Sequence, residues 1–313
     1  MPAAVTPFLT FDTIQNFKTI VLGILLEALP FLLLGVLVSS LLHTFVSEDS
    51  IRRVLPKHPA LAIITACLIG IALPLCECGM IPVVRGLIRK GMPVYAGISY
   101  ILAAPILNPV VFASTSMAFH HQPELVYARM GLAFAVSAAI GGILYFTVRH
   151  NPLKNASSHH HHVHTHEHHP HGTAGIGGKF SSFFSHASDE FFDMGKYLLF
   201  GILLTALIQT GISRDTLMSL GSESAGGHMF MAGLAYVLSI CSTSDAFVAA
   251  SFTSAFSPGP LLTFLVFGAM LDMKTTLMLF SVFNKKFVLY LMLLITASVL
   301  AGSHLIDALW LAK

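Results

Sequence analysis

Charged side chains are scarce in this chain. Asp, Glu, Lys and Arg make up 10% of its 313 residues, whereas a soluble domain carries about 25%. Hydrophobic residues reach 55% and the mean hydropathy is +0.76, a balance that excludes an ordinary soluble domain. The apolar residues form runs of about 20, which is the length of a helix that crosses the hydrocarbon core of a bilayer. The sequence therefore predicts an all-α polytopic membrane protein.

Motifs of several other protein classes are also missing from the sequence. No Walker motif occurs, so we expect no ATP hydrolysis by this chain. No flavin or nicotinamide fingerprint occurs, and no cofactor is predicted. No basic patch is interleaved with aromatic residues, so we predict no nucleic-acid partner. The predicted partner is the lipid bilayer.

The apolar residues form eight segments, four on each side of a polar middle. Four segments are uninterrupted: Phe17–Phe45, Leu125–Val148, Gly195–Ile212 and Phe287–Leu311. Four are longer and interrupted: Ala60–Ile88, Met92–Phe119, Met229–Phe256 and Pro260–Phe283. This arrangement predicts a first membrane repeat over residues 1–149, a histidine-rich disordered loop over 150–179 and a second membrane repeat over 180–313.

Short matches between the halves indicate an internal duplication. Residues 73–76 (Leu-Pro-Leu-Cys) match 238–241 (Leu-Ser-Ile-Cys), and 107–109 (Leu-Asn-Pro) match 271–273 (Leu-Asp-Met), at offsets of 165 and 164 residues. Shared hydrophobic composition is the alternative explanation. Transporters are often built from such repeats, and broken segments at corresponding positions then mark the binding site.

The distribution of lysine and arginine favours re-entrant hairpins over simple crossings. If all eight segments cross, these residues divide nine to seven between the two sides; if 60–88 and 229–256 return to the side they entered, the division is twelve to four. Positive residues accumulate on the cytoplasmic side. The second topology predicts six spans, two hairpins, inverted repeats, a cytosolic histidine-rich loop and a multi-pass protein of the cell (inner) membrane.

The first predicted hairpin tip holds Cys76, Glu77, Cys78 and Gly79. Thiolates are soft ligands that select thiophilic ions, and in an extended backbone Cys76 and Cys78 point the same way. Gly79 permits a tight turn. Thiols and carboxylates are costly in lipid unless they face protein, water or a substrate, so we interpret the four residues as substrate-binding. Two packed cysteines beside a carboxylate are the alternative.

The second tip is the counterpart of the first. It contains five consecutive residues that are predicted to bind substrate: Cys241, Ser242, Thr243, Ser244 and Asp245. A third thiol here would complete a three-sulfur site, and the hydroxyls suit an oxygen-bearing substrate. Ser and Thr also serve as packing groups between membrane helices.

Further polar residues lie in the apolar segments. Asn108 and Asp272 follow the two tips at matching positions, and Asn108 is predicted to bind substrate. Glu77, Asp245, Asp272 and Glu27 are candidates for proton coupling, because a buried carboxylate can take up and release a proton. Alternatively, Asp272 pairs with Lys274 or Lys285, and Glu27 pairs with Lys18 or Lys196.

The polar middle contains nine of the chain's seventeen histidines. They are His159, His160, His161, His162, His164, His166, His168, His169 and His171. Such tracts bind Zn²⁺, Ni²⁺ or Cu²⁺ weakly and without fixed geometry. The tract is interpreted either as a metal-buffering or sensing loop or as a disordered loop with incidental metal affinity.

Two signatures together resemble the YraQ/ArsP-type family of predicted permeases. The first is the run 74–82 (Pro-Leu-Cys-Glu-Cys-Gly-Met-Ile-Pro) followed by 104–109 (Ala-Pro-Ile-Leu-Asn-Pro), and the second is Cys-Ser-Thr-Ser-Asp at 241–245. The resemblance implies efflux of arsenite or a trivalent organoarsenical, with Cys76, Cys78 and Cys241 as ligands. Members of the family differ in substrate.

Three functions follow from these observations. The first is a secondary transporter, a proton-coupled permease that exports a thiophilic metalloid. The second is an exporter of a divalent or Cu(I) metal ion that uses the histidine-rich loop as a cytosolic collector. The third, from another class, is a membrane thiol oxidoreductase built on the Cys76–Cys78 pair. A transporter, not an enzyme, is the prediction; the oligomeric state stays open.

Overall fold

The computed structural model describes residues 11–45, 56, 58–72, 76–148, 152–153, 176–211, 226–253 and 255–311. These residues form helices and their connections, with one isolated β-bridge between Leu153 and Phe283. In chain order the helices are α1 Phe11–Phe45, α2 Pro59–Ala72, α3 Glu77–Arg89, α4 Val94–Ala103, α5 Pro109–Ala118, α6 Pro123–Thr147, α7 Ile176–Gly211, α8 Gly227–Leu238, α9 Asp245–Ala250, α10 Pro258–Met270, α11 Met273–Val282 and α12 Lys285–Ile306, which continues into a π-helical turn, Asp307–Leu311.

The two halves have the same order of elements. Each begins with a long helix (α1, α7), continues with a pair of short helices (α2–α3, α8–α9) and a helix broken in the middle (α4–α5, α10–α11), and ends with a long helix (α6, α12). The corresponding neighbours also pack together in both halves: α2 on α4 and α8 on α10, α4 on α6 and α10 on α12. The internal duplication predicted from the short sequence matches is thus visible in the packing.

Hydrogen bonds at the breaks repeat between the halves. The Cys76 carbonyl accepts the backbone N–H groups three and four residues ahead, both at 3.1 Å, and the Cys241 carbonyl accepts the equivalent pair at 2.9 Å. The Asn108 side chain caps α5 by accepting the N–H group three residues ahead at 2.9 Å, and the Asp272 side chain caps α11 in the same way at 2.6 Å. Both caps satisfy N–H groups that have no partner within the helix.

Helices α2 and α4 run in the same direction. Ile63, in the first half of α2, and the hydroxyl of Ser99, in the middle of α4, both lie against Gly141 of α6. Near the end of each helix, Gly70 lies so close to Ala104 that an added Cβ would be 2.7 Å from the alanine methyl. The same order of contacts on both helices requires that they be parallel.

Helix α3 runs opposite to α4 and therefore opposite to α2. The turn Lys90–Pro93 joins the end of α3 to the start of α4, and the side chain of Ile88 contacts Gly97 across this turn. The segment α2–α3 thus enters and leaves at the same end of the bundle. This arrangement is the re-entrant hairpin that the lysine and arginine count favoured.

The second hairpin is built in the same way. His228 near the start of α8 contacts Thr263 of α10 through a 2.7 Å hydrogen bond between Nδ1 and Oγ1. Two turns further along, Ala235 faces Gly268. Helices α8 and α10 are therefore parallel, as α2 and α4 are.

The two hairpins open toward opposite ends of the bundle. After α9 the chain returns to the start of α8, where the rings of Phe230 and Phe256 stack with centroids 5.9 Å apart. Pro258, which then begins α10, lines one surface pocket with His121–Leu125 at the start of α6. Because the broken helix α4–α5 separates the start of α4 from the start of α6, the openings lie at opposite ends and the repeats are inverted.

Among the described residues, five helical segments are long and apolar enough to cross a membrane. They are Thr13–Leu41, Pro123–Thr147, Phe183–Thr210, Pro258–Val282 and Lys285–Leu309. Pro258–Val282 consists of α10 and α11, and its counterpart consists of the two shorter apolar helices α4 and α5. An all-α polytopic membrane protein is confirmed.

The polar middle of the chain is described at its two edges. The Asn284 N–H group donates to the Pro152 carbonyl at 3.0 Å, which places the end of the first repeat beside the start of α12. Helix α7 begins at Ile176. The tract His159–His171 lies outside the described residues, and its metal binding and cytosolic position stay predictions.

A close helix crossing supports the first tip. A Cβ added at Gly35 of α1 would lie 2.6 Å from the Gly79 Cα of α3, so the two backbones touch. Small residues allow such an approach between membrane helices. Replacing Gly35 with Ala should force α1 and α3 apart and destabilise the fold by about 1–3 kcal/mol.

The matched control for this substitution lies on the same helix. Gly23 has open space where a Cβ would be placed, so Gly23→Ala should leave the melting temperature of the detergent-solubilised protein unchanged or slightly raised. Equal melting temperatures for the two variants would show that the crossing tolerates a methyl group.

Candidate functional site

The two hairpin tips meet α1 and α11 around one narrow pocket. Nine residues line it: Ile24, Glu27, Ala28, Phe31, Cys76, Glu77, Cys78, Cys241 and Lys274. They come from both repeats, and five of them are residues that the sequence singled out. The tips therefore converge as the duplication predicted, with a lysine added that the predicted site lacked.

Three free thiols face this pocket. Cys76 and Cys241 are partly buried, whereas Cys78 is buried. Cys76 and Cys78 lie within hydrogen-bonding reach of each other, and the Thr243 hydroxyl donates to the Cys241 sulfur at 3.6 Å. The fourth cysteine, Cys67, is buried on α2 in a separate apolar cluster.

Glu77 is a buried carboxyl without a complete set of partners. It is the first residue of α3 and only 3% exposed, and its Oε1 has no hydrogen-bond partner within the described part of the chain. The N-terminus of α3 carries partial positive charge, which favours a carboxylate at this position. An unsatisfied acid in a pocket is available for a proton or a ligand.

Lys274 brings positive charge to the same pocket. Its ammonium group donates to the Ser239 carbonyl at 2.9 Å and lies 3.3 Å from an Asp272 carboxylate oxygen. The side chains of both residues of this ion pair are at most 5% exposed. The structure thus contains the Asp272–Lys274 pair that was the alternative to proton coupling by Asp272.

Ser239 holds the second tip in an unusual conformation. Its φ of 47° and ψ of 47° lie in the left-handed region, which residues other than glycine and asparagine rarely adopt. The Ser239 hydroxyl accepts the Met273 N–H group at 3.2 Å and donates to the Tyr236 carbonyl at 3.1 Å. These bonds and the Lys274 contact hold the strained turn, a feature that clusters at functional sites.

Arg129 ties the second tip to the first repeat. Its guanidinium group donates to Asp245 Oδ2 at 2.7 Å, to the Ser242 carbonyl at 3.2 Å and to the Thr115 hydroxyl at 2.7 Å. Arg129 is 0% exposed and Asp245 is 3% exposed. The predicted residue Asp245 therefore lies behind the tip, engaged by an arginine, and does not line the pocket.

The count of lysine and arginine residues on the two sides of the membrane placed Arg129 outside the membrane, which is wrong. The hairpin topology places Arg129 among the four residues on the side opposite the histidine-rich loop, but it lies within α6 and is fully buried. With Arg129 removed, the division of lysine and arginine becomes twelve to three, which strengthens the hairpin topology. An arginine that lies inside an apolar span is the sequence feature that indicates a buried ion pair.

The remaining predicted residues have different surroundings. Glu27 is exposed on α1 at the pocket rim, whereas Gly79 is buried against α1. Asn108 is buried and caps α5. Ser242 is buried behind the tip, and Ser244 is exposed at the start of α9. Their proposed roles in binding or proton coupling stay predictions.

Four short helices begin at the centre of the bundle. Helices α3 and α9 begin at the tips, and α5 and α11 begin at the breaks of the two broken helices. Helix N-termini favour negative charge, which explains why Glu77 and Asp245 occupy first turns and Asp272 an N-cap. The same geometry surrounds the sites of many transporters built from inverted repeats.

Comparison with known proteins gives the same class. A family profile described as a predicted permease, ArsP-type, matches residues 13–308. The chain belongs to this permease family. It is therefore an integral membrane protein, and the family indicates a transporter rather than an enzyme.

Two curated relatives cover nearly all of the permease. The UPF0718 protein YcgR of Bacillus subtilis is 45% identical over 292 residues, which span 93% of this chain and 97% of the relative. A protein of Streptococcus mutans described as a putative two-component membrane permease complex subunit is 34% identical over 278 residues, 89% of this chain and 90% of the relative. No solved structure matches the chain.

Proposed function

We propose that this permease exports a thiophilic metalloid, arsenite or a trivalent organoarsenical, and that Cys76, Cys78 and Cys241 are its ligands. The observation that supports this proposal is the convergence of three thiols from both repeats on one pocket. Sulfur is the ligand that such soft centres prefer.

Ligand exchange on the metalloid is balanced without an external reactant. Each thiol that binds arsenite forms one As–S bond and breaks one As–O bond; the thiol proton leaves with the displaced hydroxyl group as water. Three exchanges give a three-sulfur complex, and the reverse reactions with water release the substrate. A dihydroxy organoarsenical needs two thiols, which Cys76 and Cys78 supply from one tip.

Glu77 and Lys274 suit proton coupling next to the thiols. Lys274 is engaged by Asp272, and Asp245 is engaged by Arg129. Glu77 is thus the pocket acid whose oxygen Oε1 has no partner among the described residues. In the proposed cycle Glu77 takes up a proton on the return step and releases it when substrate binds, next to the fixed charge of Lys274.

Transport by everted membrane vesicles tests the proposal. In these vesicles export becomes uptake, so arsenite or methylarsenite should accumulate above the level of vesicles without the protein, and a protonophore should abolish the accumulation. Failure to accumulate either arsenical at any imposed proton gradient would refute the metalloid proposal.

The histidine-rich tract favours a second substrate class, a divalent or Cu(I) metal ion. Nine imidazoles within thirteen residues would concentrate such an ion beside the bundle. In the same vesicles, uptake of zinc or copper that falls when residues 159–171 are deleted, with no uptake of arsenicals, would establish this alternative in place of the first.

A further inference from the structure

A second group of ligand side chains lies far from the thiol pocket, at one end of the bundle. His228 at the start of α8, His304 near the end of α12 and Asp307 in the π-helical turn each offer one ligand atom, and these atoms lie within 4.8 Å of one another. His228 Nε2 is 3.5 Å from Asp307 Oδ2, and the two imidazole centroids are 5.3 Å apart.

Buried hydroxyls orient the His228 ring. Its Nδ1 lies 2.7 Å from the Thr263 hydroxyl and 3.3 Å from the Ser303 hydroxyl. These hydroxyls are joined by a 2.8 Å hydrogen bond, and both residues are 0% exposed. Because Nδ1 is held on the buried side, Nε2 faces Asp307. Such partners behind a histidine are typical of metal sites, where they fix the tautomer and the ring orientation.

A glycine makes room for the carboxylate. A Cβ added at Gly259 of α10 would overlap the Asp307 carboxyl group. The carboxylate therefore lies directly on the α10 backbone, on the same side of the cluster as the ring of His228. Three elements from different parts of the second repeat thus contribute to one small polar cluster.

We propose that His228, His304 and Asp307 bind a divalent transition-metal ion of the Zn²⁺ class. Two imidazoles and one carboxylate are nitrogen and oxygen ligands that suit Zn²⁺ and leave a fourth position for water. The partly exposed ligands give the ion access from solvent. The ion would join the α8–α9 hairpin, which carries Cys241, to α12.

This site is separate from the histidine-rich tract. Pro152, seven residues before the tract, lies beside Asn284 at the start of α12. His304 lies twenty residues further along the chain, roughly 30 Å away at a rise of 1.5 Å per residue. The proposed site therefore faces the opposite side of the membrane, and its occupancy does not depend on which substrate the permease carries.

Metal binding by the full-length protein tests the proposal. The nine tract histidines are first replaced by Asn, and Cys76, Cys78 and Cys241 by Ser; in this tract variant neither the tract nor the thiol pocket binds metal. Equilibrium dialysis with Zn²⁺ should then find one bound ion per chain, and Co²⁺ should show visible absorption with nitrogen and oxygen ligands. Adding His304→Ala, at an exposed position, should abolish both signals.

Two further variants distinguish the site from a metal-free polar network. Thr263→Val keeps the shape but removes the hydroxyl behind His228, so it should weaken Zn²⁺ binding about 10–100-fold. His121→Ala, an exposed histidine outside the cluster, should change nothing. The proposal is overturned if the tract variant binds no ion or if the ion persists after His304→Ala, since the cluster would then be a hydrogen-bonded contact between helices.

Discussion

Serine in place of Cys76 should reduce resistance to both arsenite and methylarsenite to that of cells without the permease, and serine in place of Cys241 should do the same for arsenite, the substrate that needs three thiols. A serine hydroxyl has nearly the shape of the thiol but is a hard oxygen ligand, so the metalloid loses one of its sulfur partners. The Cys241 variant is the more informative test of a site shared by the two repeats, because Cys241 is the thiol that the second repeat contributes to the pocket. The measurement is growth on arsenite and methylarsenite in cells that lack other exporters.

The fourth cysteine provides the matched control. Cys67 is fully buried on α2 beside Ile63 and Ala103, away from the pocket. Cys67→Ser introduces the same chemical change at a site of pure packing, so resistance should remain when the variant reaches the membrane at normal levels. Resistance that survives in the Cys76 and Cys241 variants would exclude the thiols as ligands.

Much of the fold could be predicted from the sequence because lipid imposes strong constraints. Segment lengths and the scarcity of charge indicated the crossing helices, and the distribution of lysine and arginine favoured the hairpins. The matches at Cys76 and Cys241 and at Asn108 and Asp272 correspond to equivalent hydrogen bonds at the tips and caps. Local rules sufficed here because each cap and turn involves residues close in the sequence.

Contacts between the repeats could not be derived in this way. Lys274 was considered only as a possible partner of Asp272, and its place in the thiol pocket depends on how α11 packs against the first tip. Arg129 was counted as a surface charge because it follows a loop, and its partner Asp245 lies 116 residues away in the sequence. An arginine inside an apolar span indicates a buried ion pair, but a single sequence contains no local signal that identifies its partner. The conformation of Ser239 is likewise determined by contacts with α11.

Breaking the buried contact between Arg129 and Asp245 should strongly destabilise the permease. Arg129→Met keeps an unbranched, flexible side chain but leaves a carboxylate buried without its partner, which costs about 3–5 kcal/mol when a buried pair is broken. The Ser242 carbonyl and the Thr115 hydroxyl lose a donor as well. Thermal unfolding in detergent, read together with the amount of folded protein in the membrane, measures the effect.

Arg85 is the matched control, and a double variant identifies the cause. Arg85 lies 3.6 Å from Asp193, which is half exposed and keeps a second partner in Lys196 at 2.7 Å. Arg85→Met therefore leaves no buried charge unpaired and should cost no more than about 1 kcal/mol. Adding Asp245→Asn to Arg129→Met removes the orphaned charge and should restore much of the lost stability. A double variant as unstable as Arg129→Met would show that the hydrogen bonds to the second tip, rather than the charge of Asp245, make Arg129 necessary.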